Sequence, residues 1–419
     1  MLTARAGHVT AALTLTFFIT SSLLAQARPD WSDYDETEVM IPMRDGQSLH
    51  TRILAPKAVR DSLPLLLTRT PYGIDGDLAG PRRAYAELAL DGYIFVFQDI
   101  RGRFKSEGEF VMNHPIHDPA DSKGVDESTD TWDTIEWLIH HIPHTNGKVG
   151  VLGVSYPGWL AAMAGINPHP ALKAISPQAP MTDTWMGDDF FHQGAFRLSY
   201  GFEYAASLEL SHDLSIPPPI PTYDTYDWYL SQGTLDHLSN IMGGRSPTWI
   251  NFVEHPAYDA FWKSRALPTY LTALSVPTLT VGGWWDQEDF FGALKTYATL
   301  ERLDTRGINF LAIGPWNHGG WSGDGQKLGN IDFASATGRY FREKIQAPWF
   351  AYWLHGKGQL DLEEATLFEG GDNRWRSFAS WPPRNATARP LYFRDDGRLS
   401  FEPPASTDRG FDQYVSDPS

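Results

Sequence analysis

The chain contains no cysteine, which excludes a disulfide framework and any thiolate-ligated metal centre. Stability must then come from burial, and 42% hydrophobic and 13% aromatic residues among 419 supply enough material for a large core. Basic residues are scarce as well: 34 Lys and Arg face 51 Asp and Glu, a formal net charge of −17. A surface of that sign is poorly suited to displacing the counterions of a phosphate backbone, which argues against nucleic acid as a partner and mildly favours cationic small molecules. Long apolar runs are missing with one exception, residues 9–24, which follow Arg5 and lead into Ala25-Gln26-Ala27. That run is shorter than the roughly 20 residues of a spanning helix. Its small-x-small ending reads as a cleaved secretory signal over residues 1–27, with export to the periplasm or the medium and no stable membrane insertion.

What is present alternates. Two short strands flank the turn Arg44-Asp45-Gly46 within residues 35–54. Apolar runs at 63–69, 93–97 and 149–152 read as buried strands. Between them lie helical patterns at 83–90 and 128–142; in the second, Ile135, Leu138, Ile139 and Ile142 share a face and Ser128 or Asp130 offers an N-cap. After Ser176-Pro177-Gln178 the alternation stops. Residues 185–267 are aromatic, interrupted by Pro217-Pro218-Pro219-Ile220-Pro221, and read as an inserted cap. Strands resume at 276–281 and 308–313, followed by a helical stretch from 338 to 353. The pattern predicts an α/β fold with a mostly parallel sheet, its core divided into 28–184 and 268–364 around the cap. From 365 to 419 short strand-like pieces among Gly370-Gly371, Pro382-Pro383 and Asp395-Asp396-Gly397 suggest the start of a β domain, too short for a whole sandwich. The acids at 118, 121, 126, 127 and 130 lack calcium-loop spacing and read as a solvated loop.

Gly153-Val154-Ser155-Tyr156-Pro157-Gly158 fits the Gly-x-Ser-x-Gly elbow, in which a strand turns sharply into a helix and lifts a serine above the sheet of an α/β-hydrolase. The bare motif is only moderately specific. Its setting adds to it: an apolar strand precedes Ser155, and Pro157 with Ala161, Ala162 and Ala164 follows where a close-packed helix would begin. A serine hydroxyl needs a base to remove its proton, and on this fold the partners follow in the order serine, acid, histidine. Asp286 comes just after the strand at 276–281. Only His318 and His355 lie beyond it, and His318 sits in a glycine-flanked loop after a strand whereas His355 follows a helix. Ser155, Asp286 and His318 are therefore the expected triad. The backbone N–H of Tyr156 is the expected first oxyanion donor. Tyr72, after the strand at 63–69, offers a hydroxyl as the second, although from the residues alone a tyrosine there is more readily explained by packing.

The elbow, Asp99-Ile100-Arg101-Gly102 with Ser106-Glu107-Gly108, and the loop around His318 together resemble the cocaine esterase and X-Pro dipeptidyl-peptidase (CocE/NonD) family, from about residue 35 to the end. Within it, Met181-Thr182-Asp183-Thr184-Trp185 and Gly283-Trp284-Trp285-Asp286-Gln287-Glu288-Asp289 are similar to the α-amino acid ester hydrolases. The resemblance implies a hydrolase core, a helical cap and a C-terminal jelly roll, truncated here, and it implies that the Tyr72 hydroxyl completes the oxyanion hole. It also implies that Asp189, Glu288 and Asp289 hold the substrate's α-ammonium, with the register between Asp188 and Asp189 open. Acids at 286, 288 and 289 of one loop repel one another unless a cation, a hydrogen-bond network or protonation relieves them. A solvated acidic loop and a calcium site are the plainer readings of that cluster.

The expected activity is cleavage of α-amino acid esters through an acyl-enzyme on Ser155, extending to acyl transfer onto amines such as β-lactam nuclei. The alternatives are a sibling acylase, esterase or X-Pro dipeptidyl peptidase with another acyl pocket, or a catalytically silent hydrolase fold used for binding. No cofactor or metal is expected. The partner is a small-molecule ester or amide, and the family resemblance allows a homo-oligomer.

Overall fold

The computed structural model describes residues 29–416 apart from 59, 60, 77, 119, 122, 219, 408, 409 and 412. The signal-like segment 1–27 lies outside the described residues. Among the described residues no helix is long and apolar enough to cross a membrane.

A ten-stranded sheet forms the centre. Its strands are β1 (Tyr34–Pro42), β2 (Ser48–Pro56), β3 (Leu63–Thr70), β4 (Ile94–Asp99), β5 (Thr145–Val154), β6 (Leu172–Gln178), β7 (Thr278–Gly283), β8 (Asn309–Gly314), β9 (Ala365–Glu369) and β10 (Arg374–Phe378). The spatial order is β1-β2-β4-β3-β5-β6-β7-β8-β9-β10. From β4 to β9 every neighbouring pair is parallel, while β1, β2 and β10 run antiparallel at the edges. The central strands are apolar on both faces, as a sheet covered on both sides requires. In β4, for example, Ile94 and Val96 enter one core with Ile135 and Leu138 of α1 (Glu127–His141), and Phe95 and Phe97 enter the other with Trp349, Phe350 and Leu354.

Between β6 and β7 the chain leaves the sheet and forms the helical insertion, whose first long helix is α3 (Leu198–Glu209). It follows the elbow helix α2 (Tyr156–Met163) in the chain and precedes α4 (Phe290–Glu301). In α3 the residues Gly201, Phe202, Ala205, Ala206 and Leu208 are buried, a stripe with the period of a helix lying on a core.

Three expectations change. The strands at 365–369 and 374–378 do not open a separate β domain: β9 pairs in parallel with β8, and Ala365, Leu367 and Phe368 are buried, so apolar side chains carry them into the main sheet. The N-cap of α1 is Asp126, not Ser128 or Asp130; its carboxylate accepts from the N–H groups of Ser128 and Thr129, and the Thr129 hydroxyl reciprocates toward the Asp126 N–H. The acids nearest that cap are also not solvated. Asp126, Glu127 and Asp130 are buried, with Arg69 at 2.7 Å from Glu127 and Arg101 at 2.7 Å from Asp130. Opposite charges, not water, compensate Glu127 and Asp130.

Removing the cap should therefore be felt globally. Asp126→Ala is expected to lower unfolding stability by about 1–2 kcal/mol, read as a lower urea midpoint at unchanged slope.

Candidate active site

Four strand ends converge on one edge of the sheet. Tyr72 lies just beyond β3, Ser155 just beyond β5, Asp286 beyond β7 and His318 beyond β8. These are the carboxyl ends of parallel strands, where open α/β sheets bind ligands.

Ser155 has φ +70° and ψ −130°, a conformation that L residues rarely adopt. The surrounding packing holds it there. Its N–H donates to the Gln178 carbonyl at 2.9 Å, and its own carbonyl accepts from Trp159 N–H at 2.9 Å. A Cβ at Gly153 would collide with Pro157 and one at Gly158 with the Gln178 carbonyl oxygen, so the tight turn requires both glycines. Tyr156 opens α2, and its N–H is among those with no acceptor within the helix. Its side chain is wholly buried, the hydroxyl accepting from Asn113 N–H at 3.0 Å.

Asp286 is buried and accepts three hydrogen bonds: from His318 Nδ1 at 2.9 Å, Glu288 N–H at 2.9 Å and Asp289 N–H at 3.1 Å. Burial works against its charge, yet the imidazole and the two N–H groups hold the carboxyl below its ordinary value. Burial likewise opposes a charge on His318, but the hydrogen bond and charge of Asp286, with Glu288 and Asp189 behind it, raise the imidazole above its usual 6.5. With Nδ1 committed to Asp286, Nε2 is left for a substrate-side partner. Glu288 Oε2 approaches it to 3.5 Å.

The Tyr72 hydroxyl lies beside Ser155 and 2.8 Å from the Tyr204 hydroxyl. Although the residue keeps 39% of its surface exposed, protein crowds its hydroxyl, and burial pushes the phenol up so that it stays protonated.

The acids beside the triad separate into two kinds. Asp188 is structural: Oδ2 accepts from Thr182 and Asp183 N–H at 2.9 Å each, and Oδ1 from Gly292 N–H at 2.6 Å. Asp189, held at φ +26°, turns the other way and its N–H donates to the Glu288 carbonyl at 3.2 Å. Of the two, Asp188 has hydrogen bonds on both carboxylate oxygens and Asp189 keeps Oδ2 without one. Tyr200 bridges Asp189 Oδ1 at 2.8 Å and Glu288 Oε2 at 3.1 Å. Asp189 Oδ2 and both carboxylate oxygens of Asp289 are buried without a hydrogen-bond partner. Burial and then the facing Asp189 push the Asp289 carboxyl far up. Acceptor-only oxygens crowded together can be satisfied by a shared proton or by a cation.

The sequence reading missed Tyr200, Tyr204 and Arg197, whose guanidinium donates to the Asp189 carbonyl at 2.9 Å and lies 4.3 Å from the Tyr200 ring centroid. The spacing of Tyr200 and Tyr204 places them on one helix side, but nothing in the sequence says what that side faces. Elsewhere Glu38, His50 and Asp75 come close enough to hold a metal. The Lys105 ammonium already compensates them, 2.9 Å from Asp75 and 3.5 Å from Glu38.

Comparison with known proteins matches residues 45–320 to the X-Pro dipeptidyl-peptidase (S15) family. Cocaine esterase from Rhodococcus sp. (strain MB1 Bresler) is 29% identical over 86% of this chain, and the match spans 62% of that relative's length. An aminopeptidase from the marine sediment archaeon Thaumarchaeota archaeon superposes with a TM-score of 0.87 at 40% identity, covering 95% of this chain and 67% of that one. An α-amino acid ester hydrolase superposes with a TM-score of 0.87 at 40% identity, covering 96% and 69%.

The carboxylates around His318 yield a direct measurement. In nitrogen-15 histidine spectra its imidazole is expected to titrate above 6.5, and Glu288→Gln to move that titration down, because a negative neighbour favours the protonated ring. A midpoint unchanged by Glu288→Gln would show that Glu288 does not act on the ring.

Proposed function

The chain belongs to the X-Pro dipeptidyl-peptidase (S15) family, the CocE/NonD hydrolases, and within it we propose an enzyme that hydrolyses esters of α-amino acids. Ser155 Oγ attacks the ester carbonyl while His318 Nε2 takes its proton and returns it to the departing alcohol. Asp286 fixes the imidazole by Nδ1 and stabilises the imidazolium. The Tyr72 hydroxyl and the Tyr156 N–H receive the oxyanion. Water then releases the acyl group from Ser155 by the same steps, and an amine in place of water gives acyl transfer.

The observation that carries this reading is the group of buried acceptor oxygens on Asp189 and Asp289, flanked by Glu288, beside the triad. A neutral acyl group gives such oxygens nothing to bind. An α-ammonium donates three hydrogen bonds and offsets part of the cluster's charge while fixing the carbonyl over Ser155. The 40% identity to an α-amino acid ester hydrolase supports the same conclusion. A second reading has support of its own, from the equally similar archaeal aminopeptidase: an ammonium anchor also suits the first residue of a peptide, and only the leaving group differs.

The test compares an α-amino ester with its des-amino analogue. Ser155→Ala should reduce turnover of both by several orders of magnitude with an unchanged melting temperature. Asp189→Asn and Glu288→Gln should lower kcat/KM for the amino ester by on the order of 10²-fold while sparing the neutral ester. Raising the pH through the ammonium pKa should weaken the amino ester in the same selective way. Equal losses for the two esters would refute the ammonium site, and full activity in Ser155→Ala would refute the nucleophile.

A further inference from the structure

Helix α3 reaches the site with two tyrosines four residues apart, their rings stacked at 5.8 Å and 11°. Tyr200 bonds the carboxylates and Tyr204 bonds Tyr72. A phenol has one proton to give and can accept others. If Tyr72 gave its proton to Tyr204, none would remain for an oxyanion formed at Ser155. The opposite sense leaves the Tyr72 proton free for the reaction, and accepting a bond strengthens the donor ability of the same hydroxyl.

We propose that Tyr204 is the positioning residue of the oxyanion hole, donating to the Tyr72 oxygen and so turning the Tyr72 proton toward the carbonyl oxygen under attack. The backbone fixes the distance between the two. Buried Arg103 donates from Nε to the Pro71 carbonyl at 3.0 Å, next to Tyr72, and from Nη1 to the Ser211 carbonyl at 2.9 Å and to the Leu208 carbonyl at the end of α3. Phe104 N–H adds a bond to the His212 carbonyl at 3.0 Å. Burial holds the Tyr204 phenol well above its ordinary pKa, so the donor keeps its proton. The proposal rests on the oxyanion role given to Tyr72 and not on the ammonium site, since a neutral ester needs the same donor.

Tyr204→Phe, Tyr72→Phe and the double variant are assayed on the amino ester and on an aryl acetate. Tyr204→Phe should lower kcat about tenfold on both with KM near the wild-type value, a part of the roughly 10²–10³ that an oxyanion donor contributes. The double variant should be no slower than Tyr72→Phe alone, because the second hydroxyl acts through the first. Tyr229→Phe is the matched control: it removes a hydroxyl bonded to Glu203 of the same helix at 3.0 Å and should keep wild-type kcat. Three outcomes overturn the proposal: wild-type kcat in Tyr204→Phe, losses that multiply in the double variant, or a loss confined to the amino ester. The matched-ester comparison reads the ammonium site separately, so either idea can fail without the other.

Discussion

Asp286 accepts hydrogen bonds from the imidazole on one oxygen and from the N–H groups of Glu288 and Asp289 on the other, and both halves of the site depend on that division. One oxygen fixes the orientation of His318. The other fixes the path of the loop after β7, and with it the directions in which Glu288 and Asp289 project. A side chain that only oriented the base could be exchanged for another acceptor; this one also shapes the acidic wall, so the two functions are mechanically joined.

The acidic wall is costly on its own. Buried carboxylates with unpartnered oxygens carry a desolvation penalty; Asp289 has the His318 imidazole at 3.9 Å, whereas Asp130 and Glu127 face Arg101 and Arg69 at 2.7 Å. The same chain thus sets arginines against one group of buried acids and leaves Asp189 Oδ2 and both oxygens of Asp289 without a hydrogen-bond partner.

Much of this was legible in the sequence where a covalent or steric rule acts locally. The elbow glycines and the order of Ser155, Asp286 and His318 follow from how strand ends meet on this kind of sheet, and alternation between strand and helix patterns gave the layered architecture. Register was harder. Asp188 and Asp189 are chemically identical, and only the three backbone donors around Asp188 distinguish them. Residues 365–378 look like any short strands separated by turn residues, since a sheet-edge position is decided by a partner strand fifty residues away in the chain. Tyr200 and Tyr204 were invisible for a similar reason: their role comes from docking α3 against loops that the sequence does not join to it.

The insertion also shares its core with the elbow. Tyr156, Trp159 and Met163 of α2 lie in one apolar cluster with Phe202, Leu238, Met242, Trp249, Phe252 and Trp262 of the insertion. Swinging the insertion away as a rigid lid would wet those rings, at about 25 cal/mol for each Å² of apolar surface exposed. With the insertion docked in this way, access to Ser155 would depend on rotation of side chains rather than on movement of the insertion as a body. Acquiring bulkier substrates would then be a matter of trimming the doorway rather than loosening a hinge.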